Sequence, residues 1–197
     1  MNITVFASHG GTDCQAIMDG CASGEILAKV SAVICNNAGA PVLERAARMG
    51  VPGYRISRAQ FKTCEGYEAA LLRALGEADT DLIFLAGYMK KLPDAVLERY
   101  ENRVMNIHPA LLPKFGGQGM YGMHVHRAVL AAGDTETGVT IHRVTHQYDA
   151  GEIIAQTKVP VLPGDTPETL AARVLEREHR FLVEVLSRVA RGDIPIS

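Results

Sequence analysis

The stretch "NIHPALLP" (106–113) raises the first chemical question. It closes an apolar run, "VMNIHP", that reads as a strand. Successive side chains of a strand point to opposite faces, so Asn106 and His108 share one face and Ile107 takes the other. Pro109 has no N–H and stops sheet pairing at once. A strand ending in this way delivers an amide and an imidazole to one point. An amide NH2 and a protonated imidazole both donate hydrogen bonds, and a developing oxyanion needs such donors. An imidazole with an ordinary pKa of ~6.5 also moves protons near neutrality. For a lone histidine, satisfaction by a backbone carbonyl is the plainer reading; pairing with Asn106 ahead of a proline stop favours chemistry. A carboxylate able to tune His108 comes from "THQYDAGEIIAQ", where Asp149 lies in a loop between two strands. Turns are rich in Asp for local reasons too, and that reading stands beside the chemical one.

The second candidate is the loop "ASHGGTDCQAI". Gly10 and Gly11 permit a tight strand-to-helix turn. Thr12 through Gln15 matches a capping box and predicts a helix start near Thr12. A helix N-terminus after a glycine loop offers backbone N–H groups to an anion. A ligand-free turn explains the two glycines equally well. Asp13 suits the helix dipole but repels a phosphate, so an anion site there requires its side chain to turn away. The other histidines carry weaker signals. His142 and His146 straddle a strand end, and without an HExxH motif zinc is not expected. His124 and His126 open a helix and read as surface or packing residues. Glu178-His179 falls within the last helix and reads as a solvated face.

These residues need a scaffold. Apolar runs at 3–8, 28–36 and 82–87 read as strands, as do "VPGYRI" and "VMNIHP". Between them lie segments of helical period: "DCQAIMDGCASG", 40–50, "EGYEAALLRALGEA" and "PDAVLERY". Strands that are apolar throughout and alternate with helices predict a parallel sheet covered on both faces. Next come a helix, "HVHRAVLAAG", and two strands, "GVTIHRV" and "GEIIAQTKVPV", close enough to pair antiparallel. The chain ends in a long amphipathic helix starting at Thr166-Pro167, a favourable cap and first-turn pair. The prediction is a single-domain Rossmann-like α/β fold over 1–197: a mostly parallel twisted sheet, antiparallel strands near the C-terminal edge, and a long C-terminal helix.

Composition narrows the classes. The 197 residues are 47% hydrophobic and 21% charged, with a net charge of -2, which gives no reason to expect a nucleic-acid partner. Four scattered cysteines without a CxxC pair read as free, mostly buried thiols of a reducing compartment. No stretch approaches the ~18–20 apolar residues of a membrane span, and the N-terminus lacks the basic region of a signal peptide. The expectation is a soluble cytoplasmic protein, monomer or homodimer, acting on small molecules.

Taken together, "ASHGGTDCQAI", "LAGYMKKL", "VMNIHPALLPKFGGQGMYGMHVHRAV", "GVTIHRVTHQYDAGEIIAQ" and "EREH" resemble the folate-dependent formyltransferases, in the family's order and over nearly the whole chain. The length is similar to that of the small single-domain members that serve purine synthesis. The resemblance implies formyl transfer from 10-formyltetrahydrofolate, as co-substrate, to the amine of 5′-phosphoribosylglycinamide, without a metal. It implies that Asn106, His108 and Asp149 are catalytic, with Asp149 raising the His108 pKa. It implies that Gly11, Thr12 and Asp13 hold the phosphate through backbone groups, that Glu178 bonds the ribose, and that Gly87 borders the two ligands. Met89, Lys90, Lys91, Leu92, His142, Thr145, His146, Gln147 and Tyr148 would line the folate site. Residues 1–100 would form the ribonucleotide half and 101–197 the catalytic and folate half. Three rivals remain: formyl transfer to another amine, hydrolysis of formyl-folate, and a noncatalytic nucleotide-binding module. The "GGQGMYG" segment reads equally as a cover over the ribonucleotide or as a plain loop.

Overall fold

The computed structural model describes residues 1–196. Seven strands form one sheet: β1 (Asn2–Ala7), β2 (Lys29–Cys35), β3 (Gly53–Arg55), β4 (Leu82–Leu85), β5 (Val104–His108), β6 (Glu136–Arg143) and β7 (Ile153–Pro160). Their spatial order is β3-β2-β1-β4-β5-β6-β7. The pairs from β3 through to β5 are parallel, while β5–β6 and β6–β7 are antiparallel. The helices are α1 (Thr12–Ser23), α2 (Pro41–Arg48), α3 (Cys64–Glu77), α4 (Asp94–Arg99), α5 (Met123–Ala131) and α6 (Pro167–Ala190), with a 3-10 turn at Arg58–Gln60 that has no signal in the sequence reading.

The sheet separates two apolar cores. Ile3, Val5, Phe84, Met105 and Ile141 face α1, α2, α5 and α6 on one side. Phe6, Ile34, Ile83 and Leu85 face α3 and α4 on the other. Neighbouring residues of β1 and β4 feed opposite cores, which is why β4 is apolar throughout and β1 is interrupted within its buried stretch only by Thr4, whose hydroxyl pairs with Thr80. Each fully buried side chain of this size contributes about 1.5–3 kcal/mol through removal from water. The predicted mostly parallel sheet, its antiparallel edge and the long last helix are all present. Thr166 caps α6 by accepting from the Thr169 N–H at 3.3 Å.

The predicted capping box at Thr12 does not form. Gly11 occupies the N-cap position with φ 70°, and no side chain caps the helix. A left-handed entry suits glycine, and a Cβ on Gly11 would also lie 2.3 Å from Val42 Cγ2. Thr12 is thereby the first helical residue rather than the cap. Gln15 turns away, its amide donating to Asp19.

The order of strands reverses about β1, with β2 on one side and β4 on the other. Ligands of open α/β sheets gather at such switch points, outside the carboxyl ends of the strands. The ends of β1, β4 and β5 all lie there.

Candidate active site

A cavity of about 650 Å³ opens at that edge. Its walls come from the segment after β4, the end of β5, the glycine-rich loop before α5, the loop between β6 and β7, and one face of α6. Residues from both sides of position 100 therefore line a single space.

Asn106 and His108 end β5 on one face, and Asp149 reaches them from the β6–β7 loop. Asp149 Oδ2 is 3.7 Å from His108 Nδ1, and its Oδ1 is 3.4 Å from His142 Nε2. The Gly117 N–H donates to Asp149 Oδ2 at 2.8 Å. The glycine-rich loop thus anchors the carboxylate as well as lining the cavity. On the far side of the His108 ring, Nε2 is 2.8 Å from the Phe115 carbonyl oxygen. A carbonyl accepts only, so Nε2 carries a hydrogen and Nδ1 is the nitrogen left to gain or lose one. The two residues flanking this imidazole are both left-handed, Phe115 with φ 57° and Asp149 with φ 52°. Such conformations are disfavoured for residues with a Cβ and tend to collect at functional sites.

The electrostatics differ from the simplest expectation. His108 is only 4% exposed. Burial pushes its pKa below the ordinary 6.5, outweighing Asp149 and the Phe115 carbonyl, which pull the other way. Asp149 does act upward on His108, as the resemblance implies, but burial outweighs it and the net shift is downward. Burial tends to raise the Asp149 carboxyl, but its contacts with His142, His108 and the Gly117 N–H outweigh that and hold it below the usual carboxylate value. Asp149 stays ionised beside an imidazole that begins neutral.

All nine residues predicted for the folate side, from Met89 through Tyr148, line the cavity. The Met89 N–H donates to buried Ser8 Oγ at 2.8 Å, and Ser8 donates to Asn36 Oδ1 at 2.6 Å. This chain of polar groups fixes the segment after β4 to the ends of β1 and β2. At the rim, Asp94 accepts from His146 Nδ1 at 2.9 Å and lies 3.9 Å from Lys91.

Of the residues predicted for the ribonucleotide, Gly87 and Glu178 line the cavity; Gly11, Thr12 and Asp13, at the start of α1, do not line it, and of these Asp13 meets Glu178. Glu178 is not on a solvated face, because α6 packs against α1, while His179 beside it stays half-exposed. Glu178 is 7% exposed, and burial, reinforced by the negative Asp13, drives its pKa well above the ordinary value. Asp13 has turned inward, 3.3 Å from His179 Nε2. Burial also raises Asp13, though His179 and a hydrogen bond from Glu178 oppose this. Burial thus pushes both carboxyls of this pair upward, Glu178 the more strongly.

Sequence reading missed His126. Its neighbour His124 is exposed and stacks edge-on against Tyr121 at 5.4 Å. His126 instead points into the cavity, 5% exposed, with its Nδ1 unbonded. Burial and the nearby His108 both push its pKa down. The four cysteines are free: Cys14 and Cys35 buried, Cys21 half-buried, Cys64 exposed. Among the described residues no cluster of His, Cys, Asp and Glu could hold a metal ion, and no helix is long and apolar enough to cross a membrane.

An amide, an imidazole and a carboxylate around one cavity mouth can polarise a carbonyl and move a proton. Comparison with known proteins gives this arrangement its context. Residues 1–186 match the formyl transferase family. The phosphoribosylglycinamide formyltransferase of Escherichia coli is 39% identical over 192 residues, 98% of this chain and 88% of that protein. The chloroplastic enzyme of Arabidopsis thaliana is 39% identical over 193 residues, and the match spans 66% of its length. Glycinamide ribonucleotide transformylase 1 from Symbiobacterium toebii, solved as a crystal structure, superposes with a TM-score of 0.90 at 41% identity, covering 98% of this chain and 88% of that one. With fold, strand-end chemistry and relatives in agreement across nearly its whole length, the chain belongs to the formyl transferase family.

Proposed function

We propose that this protein transfers the formyl group of 10-formyltetrahydrofolate to the amine of 5′-phosphoribosylglycinamide, a step of purine synthesis. The observation that carries the reading is the meeting of Asn106, His108 and Asp149 at one wall of a cavity large enough for two small ligands. The relatives bearing that enzyme's name support the choice of acceptor. Free cysteines fit a reducing compartment, in keeping with action in the cytoplasm.

The chemistry follows from the groups present. The acceptor amine attacks the formyl carbon, a C–N bond forms, and the former carbonyl oxygen becomes an oxyanion. Asn106 donates to that oxygen. His108 begins neutral and takes up a proton as negative charge develops, held in orientation by the Phe115 carbonyl and Asp149. Collapse breaks the bond to the folate nitrogen, and the proton released by the amine ends on that nitrogen, with Asp149 and His108 as its route. The folate side is assigned to Met89–Leu92, His142 and Thr145–Tyr148. The ribonucleotide is assigned to backbone groups of Gly11–Asp13, to Gly87 and to Glu178. Glu178 lines the cavity with its carboxyl held well above its ordinary pKa by burial, and that carboxyl is assigned to a ribose hydroxyl.

The test is to incubate the purified protein with 10-formyltetrahydrofolate and phosphoribosylglycinamide and follow release of tetrahydrofolate. The expected result is ribonucleotide-dependent turnover, with other amines and water at least about a hundredfold slower, since a site built to bond polar substrate groups rejects analogues lacking them. Equal turnover with water alone would make the protein a hydrolase and end the proposal.

A further inference from the structure

A fourth side chain, this one buried, sits behind the trio. His142 is 2% exposed and lies directly opposite Asn106 in the antiparallel register of β5 and β6. A bulge in the β6–β7 pairing falls at Ile141/His142, the kind of irregularity that re-aims a side chain beside a site. His142 Nδ1 is 2.8 Å from the Arg143 carbonyl oxygen. The carbonyl only accepts, so Nδ1 carries a hydrogen, and in the neutral ring Nε2 presents a lone pair. Two groups face Nε2: Asn106 Nδ2 at 3.0 Å and Asp149 Oδ1 at 3.4 Å. A charged imidazolium donating to a carboxylate would close to about 2.7–2.9 Å. Asp149, which also accepts from the Gly117 N–H and faces His108, is the more distant of the two groups at Nε2. The shorter contact is the one from the Asn106 amide.

We infer that His142, held as its neutral Nδ1–H tautomer by the Arg143 carbonyl, is a positioning residue that fixes which way the Asn106 carboxamide faces. An asparagine amide turns over readily about its last torsion, exchanging oxygen for nitrogen. A lone pair at His142 Nε2 accepts one amide hydrogen and leaves the second free for a substrate oxygen. Turned over, the amide would press a buried oxygen against a buried lone pair, with neither satisfied. His142 touches no reacting atom in this role; it acts through Asn106. The Arg143 carbonyl is itself pinned, since a Cβ on Gly151 would lie 1.9 Å from it. The inference rests on the oxyanion role proposed for Asn106.

The whole enzyme, assayed with 10-formyltetrahydrofolate and phosphoribosylglycinamide, tests it through Asn106→Ala, His142→Leu, His142→Gln and the double variant Asn106→Ala/His142→Leu. His142→Leu is expected to lower kcat by at least about tenfold while leaving both KM values within about threefold. His142→Gln, which keeps an acceptor, recovers most of that loss. Adding His142→Leu to Asn106→Ala costs little more, because the two act as one unit. Nitrogen-15 NMR of the imidazoles in the unaltered protein is expected to show His142 neutral, with its hydrogen on Nδ1. A raised folate KM at unchanged kcat would make His142 a simple folate contact and overturn the inference. So would full additivity in the double variant, or a spectrum of an imidazolium or of the Nε2–H tautomer. Should Asn106→Ala leave kcat intact, the proposed role of Asn106 fails; a damaged Asn106→Ala beside an undamaged His142→Leu overturns the inference alone.

Discussion

Asp149 and His108 are set apart by what surrounds each of them. The carboxyl is pulled down by its partners and the imidazole is pushed down by burial, so near neutrality the pair is an anion beside a neutral base. Activity that needs neutral His108 is lost as the pH falls through a pKa below 6.5. The expected kcat/KM profile is flat just above neutrality with an acid limb centred below that value, and an unchanging rate between pH 5 and 8 would contradict it. Replacing Asp149 with Asn should cost about a hundredfold or more in kcat, yet leave ribonucleotide binding, measured by calorimetry, nearly unchanged. His126 makes a stability prediction. Its lowered pKa means that the unfolded chain binds its proton more readily, so its presence destabilises the fold as the pH falls below about 6.5. His126→Gln should therefore lessen the drop in melting temperature between pH 7.5 and 5.5; an unaltered slope would count against this account.

Among the elements, the β6–β7 loop most depends on a missing side chain. Gly151 packs its Cα against the Arg143 carbonyl, and a Cβ would also meet Thr145 Cγ2 at 3.2 Å. Gly151→Ala must push the loop outward and carry Asp149 with it, so kcat should fall at least about tenfold with modest change in stability, checked by kinetics beside a thermal melt. The neighbouring Leu-Leu-Pro turn is held from β6 and β7. Thr140 Oγ1 donates to the Ala110 carbonyl at 2.6 Å, and Gln156 donates to the Leu112 carbonyl at 2.8 Å. The strands and helices were legible because apolar runs and helical periods announce them, and alternation alone put Asn106 and His108 on one face. Three features were not legible. The capping of α1 turned on Gly11 adopting a left-handed conformation, which Thr12 and Gln15 could not reveal, though the helix does start at Thr12. The inward aim of His126 depended on where α5 docks, since one helical face reads the same whether it meets solvent or a cavity. The pairing of His142 with Asn106 needed the β5–β6 register, which local pattern does not supply.

At the scale of the whole molecule, the sheet keeps one core apart from the other and gathers the site at its rim. Leu71 of α3 is fully buried in the core shared with α4 and does not line the cavity. Leu71→Ala should destabilise the fold by about 2–5 kcal/mol in denaturant titration while leaving kcat at 25 °C essentially intact. A parallel loss of kcat would mean that repacking around Leu71 reaches the site through Leu85, Tyr88, Leu92 and Leu97, which belong to the same core and line the cavity.

Arg143 connects the rim to a remote part of the chain. Its backbone oxygen meets His142, while its guanidinium bonds Glu152 at 2.9 Å, the Asn102 carbonyl, and the Pro195 carbonyl at 2.8 Å. The segment around Pro195 is thus moored to the residue whose carbonyl holds His142. A purification tag fused beyond Ser197 pulls on that mooring, so turnover measured on tagged and tag-free protein should be compared before either is taken as intrinsic.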